Sequence, residues 1–580
     1  MQLLEHFKEL TIHPKNTKEL KGLILQLAIQ GKLTQKWREQ NSNVEPASVL
    51  LEKIKEEKAQ LIKDKKIKKE KALPEITEDE TPFELPDSWC WSKMQNICFI
   101  ITDGAHHTPK YIDSGVPFLS VKNLSKGGID FSNTKFISEV THKELIKRCN
   151  PEFEDILLTK IGTTGIAKVI DVKHDFSIFV SVALLKIVKS YLYPYFIEHC
   201  INSPFIKKQS SDGTEGVGNK NLVLRKIKSF LLPIPPLEEQ KAIVSKVNQL
   251  FKEVEALEKQ TQARVQLKED FVTSALRQLT EATGAQNQNG TSQQWDFLKP
   301  HFKTFFTSKA AVKKLRETIL QLAVQGKLTT HWRTQNTEIE PASLLLEKIK
   351  AEKAQLIKDK KIKKEKPLPE ITAEEMPYEL PDGWVWCRLT ELVDVGTGST
   401  PAKSNLTYYE GGNIPWYTSS ATNDEYAKVQ DVMITQKALD ETNCKIFPTG
   451  SLIIAMYGQG KTRGQISELI TAGATNQAIA AMVFFESSKN TKQYLKYYFQ
   501  KFYHEIRLLA EGGAQPNLNV GKVKATLIPL PSTIEMNAIV AKTNSLMALC
   551  DQLEQEIAQN TQQVEDLMQS CLREVFEPII

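Results

Sequence analysis

Apolar positions along the chain alternate between two regimes, one of helical period and one of short clustered runs. The stretch LKGLILQLAIQGKLT carries Leu20, Ile24, Leu27 and Ala28 at steps of one to four, the spacing of one helix face. Gly31 and Gly326 stand where such helices would close on a glycine. After Pro46, Leu50, Ile54, Leu61 and Ile62 line one side of a second helix and lysines fill the rest. Ala72-Leu-Pro and Pro367-Leu-Pro are predicted to end that helix and its counterpart. Near the C-terminal end, Thr543, Leu546, Cys550, Leu553, Ile557, Val564, Leu567 and Cys571 follow a seam of threes and fours, with polar Asn560 filling one seam position. A helix beginning near Leu237 shows Val247, Leu250, Val254, Leu257 and later Phe271 on a similar seam. About 40 residues of helix would span roughly 60 Å. Such helices bury little alone, and packing on each other is expected, preferably antiparallel. Between the helical stretches the runs shorten to strand length, as in GVPFLSVKNL, DILLTKIG, GNIPWYTS and GSLIIAMYG. Each mixed region also holds a late amphipathic helix, from Tyr193 and from Gln493.

The chain contains itself twice. Residues 45–77 and 340–372 differ at three positions of 33: Val49/Leu344, Glu56/Ala351 and Ala72/Pro367. The match extends upstream, LQLAIQGKLT against LQLAVQGKLT, and downstream, ELPDSWCW against ELPDGWVW. A second pair follows, LLPIPPLEEQKAIVSKVNQL from Leu231 and LIPLPSTIEMNAIVAKTNSL from Leu527. Residues 92–230 and 387–526, between these repeats, are nearly equal in length and hardly alike. Drift after a duplication would not spare the frame and blur only the heads, so two ligand specificities on one frame are expected. The predicted division is a helical segment 1–91, a head 92–230, a spacer helix 231–280, a polar linker 281–299, a second helical segment 300–386, a second head 387–526 and a spacer helix 527–580.

Composition narrows the class. The 580 residues are 41% hydrophobic and 25% charged, ordinary globular fractions for a chain of several domains or modules. No run approaches the ~18 apolar residues of a membrane span, and MQLLEHFKEL, with charges inside its apolar run, does not read as a secretory signal. Eight scattered cysteines without a CxxC pair fit a reducing compartment and argue against zinc. The net charge of +5 conceals opposed pieces. The first head holds 19 basic and 13 acidic residues and the second 14 and 12. Each lysine-rich repeat helix holds nine lysines, whereas the tail 527–580 has two basic residues against eight acidic. Basic heads and helices suit a phosphate backbone. A solvated amphipathic face is the blander alternative for the lysine helices.

Several of these phrases resemble those of the specificity subunits of type I restriction–modification systems, and the resemblance covers essentially the whole chain. LPDSWCW, LPDGWVW, IPPLEEQKAIV, DGAHHTPKY, GTGSTP with GNIPWYTS, and ILQLAVQGKL carry it. The near-identical repeats look most like the type IB subclass. The resemblance implies an α+β fold with two α/β target-recognition domains in pseudo-two-fold arrangement, separated by a long antiparallel coiled coil, with repeated helical lead-ins. It implies a non-catalytic, cytoplasmic, bacterial or archaeal host-defence subunit, each recognition domain reading half of a gapped duplex DNA site. Two adenine methyltransferase subunits using S-adenosylmethionine would bind the frame. Two restriction subunits using ATP and magnesium would translocate and cleave DNA. The second exit departs from the usual pattern at Ser532, Thr533 and Met536.

The chemistry in the heads agrees with a reader rather than an enzyme. There is no [DN]PP[FYW] tetrapeptide for holding a flipped adenine and no nucleophile elbow. Residues 455–462 nearly match a phosphate-binding loop, GxxxxGK[ST], but Ala455 opens them and KIGTTGIAK in the first head lacks the Lys-Thr. A Gly-rich loop offering Lys461, Arg463 and Gln465 to DNA is the favoured reading over ATP binding. His106-His107 lacks a companion ligand set and reads as DNA-facing or turn-stabilising. Asn, Gln and Arg can contact base edges, and Lys, Ser and Thr hold phosphates. On that ground the expected DNA contacts of the first head are Lys110, Tyr111, Lys122, Asn123, Lys160, Thr163, Thr164, Asn219, Lys220 and Asn221. Those of the second are Lys403, Trp416, Tyr417, Ser419, Tyr457, Gln459, Lys461, Arg463, Asn476, Gln477, Gln515 and Asn517. For each, the alternative is a solvated surface side chain. At the level of the whole chain, the alternative is a coiled-coil scaffold with two divergent heads and no nucleic acid.

Overall fold

A computed structural model describes residues 16–124, 128–215, 221–281, 299–458, 462–511 and 518–576. The chain forms two compact units, Met1–Val265 with Thr561–Ile580, and Gln266–Asn560. Residues 282–298 of the polar linker and the first fifteen residues lie outside the described residues.

Within each unit a helical frame carries one head, and the two frames share their main packing and hydrogen-bond features. The lead-in helix Asn16–Ile29 buries Leu20, Leu23 and Leu25. It ends at Gly31, whose φ of 71° needs no Cβ and whose open side lies against Pro86. Its counterpart Lys309–Val324 ends at Gly326, φ 67°, against Pro381. The lysine-rich helices Ala47–Lys63 and Ala342–Lys358 bury Ala47, Leu50, Ile54 and Ala342, Leu346, Ile349. Both stop short of the expected Leu-Pro. Lys65 and Lys360 take left-handed φ values of 58° and 55°, and their amides close the last turn on Ile62 and Ile357. The residues beyond run extended along the head, where Lys93 Nζ and Arg388 Nε donate to the carbonyls of Pro74 and Pro369, each at 3.1 Å.

The Trp-containing phrases and the Pro-rich exits are strands paired with each other. Cys90–Lys93 runs antiparallel to Leu231–Ile234 and Val385–Arg388 to Leu527–Leu530, with Trp91 opposite Pro233 and Trp386 opposite Pro529. Proline is tolerated because the ribbon has only two strands. The segments 231–280 and 527–580 therefore open with a strand, and the first long helix starts at Leu237 as expected and runs to Glu281, the second from Thr533 to Phe576. The second exit keeps the turn despite its different residues. Met536 N donates to Ser532 O at 2.8 Å as Gln240 N donates to Pro236 O at 3.0 Å.

A buried carboxylate locks each joint. Glu239 accepts from the Thr34 hydroxyl at 2.7 Å, Arg38 Nη1 at 2.6 Å and the Trp89 indole at 2.8 Å. Glu535 accepts from Thr329 at 2.8 Å, from Arg333 and from Trp384 at 2.8 Å. Both carboxylates sit in the first turn of a long helix, where the helix dipole also favours them.

The spacer helices follow the expected seam with two shifts, one of them Met568 buried where Leu567 was expected. In the first unit Val254 shares a cluster with Leu20, Leu23 and Met568. In the second, Val272, Leu276 and Leu279 cluster with Leu315, Leu546, Cys550 and Leu553. Later residues of the first helix thus meet earlier residues of the second, as antiparallel partners do. The seam passes through Val272, and Phe271 lies beside it with its ring 4.3 Å from that of Phe305.

The heads share one topology. In the first, Cys98–Asp103, Val182–Ile187, Ile156–Thr159 and Ala167–Val169 form one sheet in that order. Lys135–Ile137, Val116–Leu119 and Ser177–Ile178 form another. The second head repeats both orders and adds Tyr426–Ala427 to the first sheet and Ile446–Phe447 to the second. The late helix expected from Tyr193 is two helices, Pro194–Asn202 and Pro204–Asp212, because Pro204 breaks it and Ser203 caps the next. Lys492–Glu511 is continuous.

Removing the carboxylate of a joint strands a half-buried guanidinium and a buried indole and hydroxyl. Glu239→Ala or Glu535→Ala is expected to cost about 3 kcal/mol in urea denaturation. Glu238→Ala, on the exposed side of the same turn, should stay within about 0.5 kcal/mol of wild type.

Candidate nucleic-acid interface

The site candidates gather where the strands of each head end. In the first head the strand Cys98–Asp103 passes into the loop from Gly104, and Gly104 is there for space. A Cβ would stand 1.9 Å from the Ile178 carbonyl of the adjoining strand. Gly398 fills the same place in the second head, 1.7 Å from the Thr475 carbonyl. Asp103 pairs with Ala183, which pairs with Leu158. Thr397 pairs with Ala480, which pairs with Ile454. These registers make Asp103 equivalent to Thr397, and Lys160 to Met456.

Four of the expected contacts are buried instead, and each is bound inside its head. Lys160 is 5% exposed and donates to Asp103 Oδ2 at 2.8 Å. Asn123, also 5% exposed, caps a turn through the Ser120 amide and reaches the Asp130 carbonyl at 2.9 Å. The Trp416 indole donates to Ser399 O at 3.1 Å, and the Tyr417 hydroxyl to Thr471 O at 3.0 Å from a fully buried ring. Their residue types suggested recognition, but their places in strands or at strand ends give them structural work.

The others lie at the surface or partly so. Lys110, Tyr111, Lys122 and Thr163 are exposed and Thr164 half-buried. Asn221 bridges to Ile161, which brings the 161–165 turn against 221. In the second head Lys403 and Gln477 are exposed, and Ser419, Tyr457, Arg463 and Asn476 half-buried. Gln477 accepts from the Thr400 hydroxyl at 2.5 Å, and the Asn476 amide donates to Tyr417 O at 3.0 Å. Thr462 Oγ1 donates to Asn423 Oδ1 at 3.4 Å. Asn219, Lys220, Gln459, Lys461, Gln515 and Asn517 lie outside the described residues.

The strands on either side of the stretch resembling a phosphate-binding loop pair with each other. Leu452–Ala455 pairs antiparallel with Ile466–Leu469, and Gly464 N donates back to Ala455 O at 2.8 Å. A nucleotide loop needs a helix after the strand, with its N-terminus on the phosphates, and this segment leads into a strand. Among the described residues no group of three His, Cys, Asp or Glu could hold a metal. Nor is any helix long and apolar enough to cross a membrane.

One electrostatic cluster near the strand ends was missed by residue-type reasoning. Asp103, 2% exposed, accepts from Lys160, from Arg148 Nη2 at 2.5 Å and faces His106 Nε2 at 3.0 Å. Burial pushes its carboxyl pKa up, but hydrogen bonds from Lys160 and His106 outweigh that and hold it below the usual value. Arg148 follows the helix Glu139–Leu145, 45 residues from Asp103, and no local pattern in the sequence links them.

The family described as "Type I restriction modification DNA specificity domain" matches residues 92–267 and 381–563. The EcoAI specificity subunit of Escherichia coli is 31% identical over 92% of this chain and 90% of its own length. The chain belongs to the family of type I restriction enzyme specificity subunits. The EcoEI specificity subunit of the same species is 30% identical over 94% of this chain and 92% of its own length. Both are type IB subunits, and the chain groups with that subclass. Among solved structures, the HsdS subunit from Thermoanaerobacter tengcongensis is 18% identical, with a TM-score of 0.42 over 86% of this chain and all of that one.

The Asp103 cluster has a pH signature. A carboxylate with a lowered folded pKa stabilises the fold above its unfolded pKa of about 3.9 and loses that contribution as pH falls. The stability gap between wild type and Asp103→Asn should be constant above about pH 5 and shrink below about pH 4 in denaturation curves.

Proposed function

We propose that this specificity subunit reads a bipartite, gapped duplex DNA site, one half-site per head, and supplies no catalytic group itself. The observation that carries the reading is a shared backbone with different chemistry at the reading end. The two heads have one strand order, yet Asp103 and Lys160 in one stand where Thr397 and Met456 stand in the other. A surplus of basic residues in both heads suits contact with phosphates. The frame, by contrast, repeats even its hydrogen bonds. Lys58 and Lys353 donate to the carbonyls of Gln95 and Thr390, at 2.5 and 2.6 Å. Ion pairs Lys228–Glu70 and Lys524–Glu365 also correspond. Two copies of one surface fit two copies of one partner, and the partner we assign is an adenine methyltransferase subunit holding S-adenosylmethionine. Restriction subunits would bring ATP and magnesium. The setting is the cytoplasm of a bacterial or archaeal cell. Base flipping and methyl transfer then belong to the partner.

Exchanging residues 92–230 for the head of another such subunit should change the bases required in one half-site only, read by binding of the methyltransferase complex to duplex panels. A change in both half-sites contradicts independent heads. Affinity for the cognate duplex should fall by about three orders of magnitude between 50 and 200 mM salt. Binding that is neither sequence-selective nor salt-sensitive favours the scaffold without nucleic acid. Titration calorimetry of the chain alone with ATP should give no heat of binding, and a saturable site would contradict the division of labour.

A further inference from the structure

The Asp103 cluster is built on one side and open on the other. Its acceptor is inside: the carboxylate side chain is 3% exposed, and Lys160, at 6%, is spent on it. Its outer members are Arg148, with 53% of its side chain exposed, and His106, with 52%. Arg148 is held through a single nitrogen, Nη2, which lies 2.5 Å from Asp103 Oδ1 and 2.9 Å from His106 Nε2. The rest of the guanidinium makes no hydrogen bond among the described residues, and every nitrogen on it is a donor. An arginine anchored in this way is fixed in direction before any ligand arrives, so less side-chain entropy is lost on binding.

A fixed, donor-only group selects an acceptor-only partner. Of the four base edges in the major groove, guanine alone offers two adjacent acceptors, N7 and O6, with no donor and no methyl group. Adenine adds a donor, cytosine presents a donor, and thymine pairs its acceptor with a methyl. At the equivalent place among the described residues the second head has no such group: Thr397 stands where Asp103 does and spends its hydroxyl on the Ile479 carbonyl at 2.7 Å. The cluster therefore belongs to what distinguishes the two heads, not to what they share.

We propose that Arg148, oriented by Asp103, donates to the major-groove edge of a guanine in the half-site read by the first head. This rests on the DNA-reading function above and names a specificity-determining residue for it. Lys147, the preceding residue, is exposed and pairs with Glu144, so it provides a charge control that lacks the anchoring.

The test is the adenine-methylation motif written by the complete methyltransferase complex carrying wild-type chain, Arg148→Ala or Lys147→Ala. The expected result is a wild-type motif with a guanine at one position of one half-site. With Arg148→Ala that position becomes degenerate, its discrimination falling roughly tenfold or more, while the other half-site is unchanged. Lys147→Ala should leave the motif as it is. If Arg148→Ala methylates too weakly to score, binding of the purified complex to duplexes bearing each base pair at that position gives the same comparison. Equal weakening on all four duplexes marks a phosphate contact and overturns the proposal, as does an unchanged motif or an equal effect of Lys147→Ala. A wild-type complex that writes no bipartite motif overturns the DNA-reading function itself, and this proposal with it.

Discussion

The architecture depends on a carboxylate buried where two helices and a strand ribbon meet. Taking a carboxylate out of water costs several kcal/mol unless its oxygens are fully engaged. Glu239 and Glu535 are 0% and 3% exposed, and each is met by a hydroxyl, a guanidinium and an indole. The donors come from the segment after the lead-in helix and from the Trp residue before the first strand, and the acceptor from the first turn of the spacer helix. One polar knot thus fixes the angle at which the spacer leaves its head. Apolar packing alone tolerates sliding, whereas a three-donor site around one carboxylate does not.

Constancy at the joint is what permits variety beyond it. The backbone constraints inside the heads, such as the space required at Gly104 and Gly398, are likewise common to both. What differs sits on strand ends and the turns after them. There a side chain can change without disturbing a sheet register or the joint. Asp103 against Thr397, and Lys160 against Met456, show the scale of change the scaffold absorbs: a buried ion pair in one head is a hydroxyl and a thioether in the other.

Much of the frame was legible in the sequence because its causes are local or repeated. The 33-residue repeat, the glycines at 31 and 326 and the three-four seam needed no tertiary information. The breaks were misplaced where a local rule competed with a distant one. The lysine helices stop at Lys63 and Lys358, before any proline, because the following residues are drawn out along the head. Pro233 and Pro529 fall within the segments assigned to the spacer helices and are strand residues, since a two-stranded ribbon does not need their missing amides. The heads were legible as strand-rich but not as alike, since sheet order arises from pairings between distant positions. The site was the least legible part. Residue type pointed to Trp416, Tyr417, Asn123 and Lys160, which the fold buries. It passed over Arg148, whose meaning comes only from Asp103, 45 positions away.

On the proposed function, two differently equipped heads on one repeated frame read two separate stretches of DNA. Long-read sequencing of methylated adenines in cells carrying the complete system tests it most directly. The expected result is one motif made of two unlike specified parts separated by a gap of fixed length and free sequence. A single contiguous motif, two identical half-sites, or no adenine methylation dependent on this chain would contradict it.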